Sequence, residues 1–292
     1  MSARAPVGAR VCTSVCAQMS TVGAKSGLAG APPGHTKAPA HLVRALDSFG
    51  LRDAELSPVW KNQAGGLTFS VASAGPGGRI DFYVKWNPAG TSESLTAEAQ
   101  RLQWLQGRHP APVAVDLVAD MHGEVLLTRA LPGESAVAQR WKHQPDTALR
   151  ALGAGLRRLH QVDYAELPPQ WSPQQEPDAD GDDTVHRAAA SGPPGGIDKL
   201  VLSQGDPCAP NTLLAADGSF LAHVDLGRLT VADRWADLAV MTMSLGWNFP
   251  RYQEAVFWEG YGIEPDPARI EYYRRLWDEA SGAPPEDPGV VP

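Results

Sequence analysis

Asp206, Asn211 and Asp225 offer two carboxylates and an amide at intervals that suit a shared reaction centre. They lie in the run LSQGDPCAPNTLLAADGSFLAHVDLGR. The apolar Leu200, Val201 and Leu202 give way to Gln204-Gly205, and Asp206 follows at a strand-to-loop junction. Asn211 stands at Asp-x-x-x-x-Asn spacing. Leu213 and Leu214 lead into the turn signal Asp217-Gly218, and a further apolar run with Leu221 and Val224 ends at Asp225-Leu226-Gly227. A hairpin sets the ends of its strands side by side. Asn211 and Asp225 can then share a cation while Asp206 faces the reacting group. A base carboxylate, an amide oxygen on Mg²⁺ and a carboxylate bridging Mg²⁺ are the parts of a phosphoryl-transfer loop. An Asp-Gly turn alone carries no such meaning; the ordered set, with Gly205 and Gly227 flanking it, does.

Bulk properties bound what can hold such a loop. At 292 residues and 43% hydrophobic, the chain can bury a sizeable core in one domain or two lobes. A net charge of −8 argues against nucleic acid, which needs a basic footprint. It suits a small polycation, although a merely soluble acidic protein has the same charge. The 3 cysteines, Cys12, Cys16 and Cys208, support neither a zinc site nor a disulfide scaffold. No apolar run approaches the roughly 18 residues of a membrane span, and a reduced cytoplasmic setting is the default. Residues 1–38, rich in Ala, Gly, Pro and Ser, are expected to be disordered. They hold no apolar core of a secretory signal, and Met19 offers a second translation start.

The run QGDPCAPNTLL…HVDLGRLTVADRWADLAV resembles the aminoglycoside phosphotransferase family, in particular its 3′-phosphotransferase-like branch. That branch carries His-Gly-Asp-x-x-x-x-Asn, then Ile-Asp-x-Gly-Arg, then Ala-Asp-Arg and an Asp-Leu-Ala helix. The likeness runs from about Trp60 to about Glu279 and is weak between about Pro168 and Lys199. Gln204 stands where the family has His; Gln also donates and accepts, and can substitute for a loop-orienting residue. The resemblance implies an α+β, two-lobed, protein-kinase-like fold. A small antiparallel-sheet lobe is expected over 39–131, a mainly helical lobe over 132–281, and a disordered tail over 282–292.

The first lobe must hold a nucleotide. Residues 41–49 have helical spacing and end at Gly50. Two strand-like runs over 59–73 flank Gly65-Gly66-Leu67-Thr68, where small residues can bring backbone N–H groups to a phosphate; an ordinary hairpin turn reads the same way. Lys85 lies inside the strand Phe82-Tyr83-Val84-Lys85-Trp86. A charge there needs a partner or a task. It is either an edge lysine reaching water or the lysine that reaches the α- and β-phosphates. Glu98, in an expected helix over 92–106, fits the family's order as its partner, with Glu93 as the alternative. Strands follow at 113–118 and 124–128. By position against the family, the backbone groups of Arg129 and Leu131 would meet the adenine edge.

The second lobe opens with an amphipathic helix over 146–160, whose final His160 is read as structural. The interval 168–196 is Pro-, Asp- and Gly-rich, and its Glu176, Asp178, Asp180, Asp182 and Asp183 form either a substrate wall or a solvated linker. A helix is expected over 230–245, a sharp aromatic-rich turn over 244–250, and helices over 252–261 and 270–279. Arg228 is expected to pair with a carboxylate and brace the metal loop on the substrate side. Asp278 and Glu279 close the last helix, where the dipole disfavours them; the family uses C-terminal acids to bind substrate ammonium groups.

These readings converge on an ATP-dependent transfer of phosphate to an aminoglycoside hydroxyl, which gives antibiotic resistance. ATP or GTP and Mg²⁺ would be the cofactors, and the enzyme a monomer or weak dimer. A kinase of the same fold with another acceptor, such as a different antibiotic or a choline-like or amino-sugar metabolite, is the nearest alternative. A non-catalytic nucleotide-binding pseudokinase is another, weakened by the presence of Asp206, Asn211, Asp225 and Lys85. No Ala-Pro-Glu motif marks a protein substrate.

Overall fold

The computed structural model describes residues 30–72, 78–171 and 192–281, with side chains as far as residue 278. The chain divides into two compact units. One holds residues 30–106, 111–134 and 138–140; the other holds 107–110, 135–137 and the described chain from 141 onward.

The first unit is built on a five-stranded antiparallel sheet in the order β1-β2-β3-β5-β4. Its strands are β1 (Glu55–Lys61), β2 (Leu67–Ala72), β3 (Ile80–Pro88), β4 (Ala114–Asp120) and β5 (Gly123–Arg129). Side chains alternate across a strand, and here the alternation makes two different faces. Phe69, Val71, Val84, Val125 and Leu127 cluster with Leu42, Ala45 and Leu46 of helix α1 (Ala40–Ser48). The register pairs Thr68 with Lys85 and Lys85 with Leu126, so these three share the opposite face. Helix α2 (Leu95–Leu105) contacts β3, β4 and β5. It begins three residues later than its periodicity suggests. Ser94 caps it by accepting the Ala97 N–H at 3.1 Å, and the Glu124 carboxylate takes the Leu95 N–H at 2.5 Å.

The expectation of a disordered tail as far as residue 38 is corrected for the part described. Gly30 and Lys61 exchange backbone hydrogen bonds of 2.9 and 2.8 Å, and Ala38 packs against the α1 cluster. Residues 1–29 and 282–292, the rest of the expected tails, lie outside the described residues.

The second unit is mainly helical: α4 (Pro145–Leu159), α5 (Arg234–Asn248), α6 (Glu254–Tyr261) and α7 (Pro267–Ser281); the short α3 (Gln139–Lys142) begins in the residues assigned to the first unit and ends in the second. Helix α4 buries Leu149, Leu152, Leu156 and Leu159 along one face. It meets α6 closely because the contact is glycine: a Cβ at Gly153 would overlap the Phe257 carbonyl, and one at Gly260 the Arg150 carbonyl. Small sheets carry the loops. Strand β7 (Leu200–Ser203) pairs with β10 (Thr230–Asp233), and β6 (Glu134–Ser135), β8 (Thr212–Leu214) and β9 (Phe220–His223) form a second sheet.

Three expectations change here. Residues 230–233 form a strand rather than the start of a helix, since their Cα partners are Ser203 back to Leu200. The aromatic-rich stretch after Ser244 is the last turn of α5, held by Asn248 Nδ2 donating to the Ser244 carbonyl at 2.8 Å. The final helix extends beyond 270–279 at both ends. No described helix is long and apolar enough to cross a membrane.

His109 and His223 form a buried pair under β9, with His109 Nε2 3.0 Å from His223 Nδ1 and the rings stacked at 5.1 Å. Burial, then the positive charge of Arg158, holds His109 down at about 3. Burial, then His109 and His160, pushes His223 well below its ordinary value. In the unfolded chain each would protonate near pH 6.5. The unfolded state therefore binds more protons below that pH, and the pair's contribution, complete above about 6.5, is lost as pH falls toward 3. Urea unfolding from pH 7 to pH 4 should show a falling unfolding free energy. The slope should be shallower in His109→Gln, by up to about 1.4 kcal/mol per pH unit for each histidine no longer forced to stay neutral.

Candidate active site

The catalytic-loop candidate hangs on a residue whose role its position in the sequence did not disclose. Asp237, in the first turn of α5, has 1% of its side chain exposed. It accepts the Ser203 hydroxyl at 2.7 Å, the Gln204 N–H at 2.7 Å and the Gly205 N–H at 3.2 Å. His160 Nε2 lies 3.0 Å from Oδ2, the oxygen that also takes the Gln204 N–H, and His160 Nδ1 is 2.8 Å from the Tyr261 hydroxyl. A carboxylate offers only acceptors, so Nε2–H faces Asp237 and Nδ1 takes the tyrosine proton. Burial holds the Tyr261 hydroxyl up at about 12, so that proton is present. His160 is structural, as expected, but as a buried bridge rather than a dipole partner.

These bonds fix the backbone just before Asp206. Gly205 adopts φ +81°, and a Cβ there would overlap the Arg228 carbonyl oxygen. The position accordingly needs glycine. After Asp206 the chain folds tightly. Cys208 N–H donates to the Asp206 carbonyl at 2.8 Å, Asn211 Nδ2 donates to the same oxygen at 3.0 Å, and the Cys208 thiol donates to Asp206 Oδ1 at 3.1 Å. Burial first, then the Asp206 charge, raises Cys208 well above the ordinary thiol range, so it remains a neutral donor. Ser244 in α5 supports the turn by accepting the Ala209 N–H at 2.8 Å.

The hairpin brings Asp225 back to this loop. Val224 N–H donates to the Asn211 carbonyl at 2.9 Å, and Asp225 follows in a left-handed conformation, φ 59°, with its side chain exposed. The pair fits a small hard cation. Asn211 commits its NH₂ to the Asp206 backbone, which leaves its amide oxygen to act as a ligand, and Asp225 supplies a carboxylate. Among the described residues there is no cluster of three or more His, Cys, Asp or Glu that would cage a metal unaided. Mg²⁺ fits such a sparse site because it keeps several waters and takes the rest of its oxygens from phosphates.

In the first unit Lys85 meets Glu98 with Nζ–Oε distances of 2.7 and 2.9 Å; their side chains are 20% and 5% exposed. Glu93, the alternative partner, instead accepts from Asn62 Nδ2 at 2.7 Å. Thr68 lies directly across from Lys85 on the same sheet face. Gly66 does not present the N–H expected of it. That N–H donates to Asn62 Oδ1 at 2.5 Å, and a Cβ would overlap Asn87 and Asn62. Its smallness serves an asparagine-lined turn. Arg129 N–H donates to the Val113 carbonyl and the Leu131 carbonyl receives Gly133 N–H, both at 2.9 Å. Neither of these bonds uses the Arg129 carbonyl or the Leu131 N–H.

Arg228 is exposed and brings its carbonyl against Gly205. Asp278 is half-buried in the last turn of α7, while the side chain of Glu279 and the acidic stretch 176–183 lie outside the described residues. Asp237, Ser244 and Cys208 are the site residues that sequence reasoning missed. For Asp237 the signals were a carboxylate in a largely apolar setting and its place in the family's Asp-Leu-Ala helix, but neither disclosed what it bonds. Asp237→Ala should strand three donors in the catalytic loop and destabilise the protein by about 3–5 kcal/mol, read as a lowered denaturation midpoint.

Residues 60–195 match a family model described as the Phosphotransferase enzyme family. The chain is 32% identical over 251 residues to the streptomycin 3''-kinase of Streptomyces griseus, covering 75% of this chain and 89% of that protein. It is 29% identical over 257 residues to an aminoglycoside 3'-phosphotransferase of Streptomyces fradiae, covering 76% and 94%. The crystal structure of an aminoglycoside-3'-phosphotransferase of type VIII aligns with a TM-score of 0.62 and 25% identity, over 82% of this chain and 99% of that one. The α+β, kinase-like fold is shared. With its catalytic loop built as described and a relative at 32% identity matched over 89% of its length, the chain belongs to the aminoglycoside phosphotransferase family.

Proposed function

We propose that this protein is an ATP-dependent O-phosphotransferase that moves the γ-phosphate of ATP to a hydroxyl of an aminoglycoside, a modification that confers resistance. The observation that carries the reading is the placement of Asp206. The backbone leading into it is tied to Asp237, its own carbonyl to Asn211, and its carboxylate is held by a neutral thiol that leaves its charge intact. Asp206 orients the acceptor hydroxyl and takes its proton as that oxygen attacks phosphorus and ADP departs. Asn211 and Asp225 would hold Mg²⁺, which when bound neutralises charge on the β- and γ-phosphates. Lys85, kept extended by Glu98, would steady the α- and β-phosphates, with Thr68 on the same face. The Arg129 carbonyl and Leu131 N–H would meet the nucleobase of ATP or GTP.

The acceptor is proposed from the relatives' names and from charge. A net charge of −8 attracts a polycation. Arg228, Asp278 and Glu279 are the proposed substrate-side residues, the two acids binding ammonium groups, and a cytoplasmic setting suits an ATP-dependent reaction. The two curated relatives differ in the hydroxyl their names specify, so the acceptor position is settled by assay. ADP release measured across a panel containing streptomycin and kanamycin should show turnover with at least one member; none with any member would overturn the proposal.

Two substitutions separate the roles. Asp206→Asn should lower kcat by about 10²–10⁴ with nucleotide affinity unchanged, as loss of a general base does. Asp225→Ala should weaken Mg·ATP binding, read by calorimetry, because an oxygen ligand is gone.

A further inference from the structure

Gln204 is the one place where the catalytic run departs from the family's residue types, and the structure gives that departure a use. Gln204 is fully buried, and its N–H is bound to Asp237 Oδ2 at 2.7 Å. Its side-chain Nε2 donates to the Val224 carbonyl at 3.2 Å, across from β7 to the end of the hairpin. Its Oε1 is buried with no hydrogen-bond partner among the described residues. Half of this amide is therefore satisfied and half is not. A buried acceptor without a partner is a net cost to folding, so an apolar side chain of similar length, which removes that acceptor but gives up the bond to the Val224 carbonyl, would leave stability near where it is. What only the amide supplies is the bond to Val224.

That bond completes a clasp. Val224 gives its N–H to the Asn211 carbonyl at 2.9 Å and receives Gln204 Nε2–H on its own carbonyl. The next residue, Asp225, is the only non-glycine residue with positive φ among the described residues. Such a conformation is sterically disfavoured and persists where the neighbouring backbone is held. The Gln204 bond lies on the peptide that leads directly into it.

We infer that Gln204 is a positioning residue for the divalent-cation site: its amide pins the Val224–Asp225 peptide and so holds the Asp225 carboxylate beside Asn211. This rests on the reading of Asn211 and Asp225 as the Mg²⁺ ligands. It places Gln204 in service of the metal rather than of the Asp206 proton transfer, although Gln204 is nearer to Asp206 in sequence.

The test is calorimetric titration of ADP, with and without Mg²⁺, into the full chain and two variants. Gln204→Met keeps length and removes the donor. Its affinity for Mg·ADP should fall about tenfold while metal-free ADP binds as in wild type, and its melting temperature should hold. Gln204→His returns a ring N–H donor and should recover most of the Mg²⁺-dependent affinity. If wild type itself shows no gain from Mg²⁺, the ligand assignment fails and the inference with it. If wild type shows that gain and Gln204→Met keeps it, the clasp alone is overturned. A Gln204→Met chain that does not melt cooperatively would show the amide to be structural, which overturns the inference as well.

Discussion

Four donors converge on the Asp237 carboxylate: the Ser203 hydroxyl, the Gln204 and Gly205 N–H groups, and His160 Nε2. A buried carboxylate is tolerable only when its lone pairs are met, and here each partner belongs to a segment the site needs. Ser203 ends β7, Gln204 and Gly205 lead into Asp206, and His160 closes α4. The desolvation cost of one charge is thereby offset by bonds that tie a helix end and a strand end to the first turn of α5. Tyr261 extends the chain of bonds into α6. The consequence for function is geometric: Asp206 follows directly from a backbone that has few ways to move.

Beyond that anchor, the loop relies on conformations that most residues avoid. Gly205 turns at φ +81° against the Arg228 carbonyl, and Asp225 turns at φ 59° after a doubly bonded Val224. One is permitted by the absence of a side chain. The other is an Asp, whose short polar side chain tolerates the left-handed region better than most. Between them Asn211 uses its NH₂ on the Asp206 carbonyl and its own carbonyl on Val224, so one residue links both carboxylates through backbone. The Cys208 thiol adds a donor to Asp206 that carries no positive charge, so this contact does not neutralise the carboxylate.

The first unit solves a different problem, that of keeping a lysine charged and aimed within a sheet. The face carrying Phe69, Val84 and Val125 is closed by α1. The opposite face carries Thr68 and Lys85, and α2 delivers Glu98 to it with both carboxylate oxygens within 2.9 Å of Nζ. Removing either partner would leave the other charge poorly solvated, which is why such pairs act as a unit. The start of α2 is itself set by Glu124 of β5 and by Ser94, so the position of Glu98 follows from a cap rather than from helix propensity.

Much of this was legible in the chain. Apolar runs broken by Gly-Asp, Asp-Gly and Asp-Leu-Gly placed Asp206, Asn211 and Asp225 on a loop and a hairpin, because alternation and turn chemistry are local properties. The Lys85–Glu98 pair was legible because a charge in an apolar strand demands a partner, and the family's order pointed to Glu98 rather than Glu93. Local signals failed where a distant group decided the outcome. Gly66 reads as a phosphate-facing glycine until Asn62 is seen to hold its N–H. Residues 230–233 read as helix until β7 is seen to pair with them. The residues before 38 read as tail until Gly30 is seen bonded to Lys61. Asp237 lies far along the chain from the loop it holds, and no periodicity reports a hydrogen bond across that separation. Which residues are chemically able to bind and react could be read from the chain, since residue types and intervals are local. Which backbone groups are already engaged could not, because satisfying a buried donor depends on whichever acceptor the fold brings within about 3 Å.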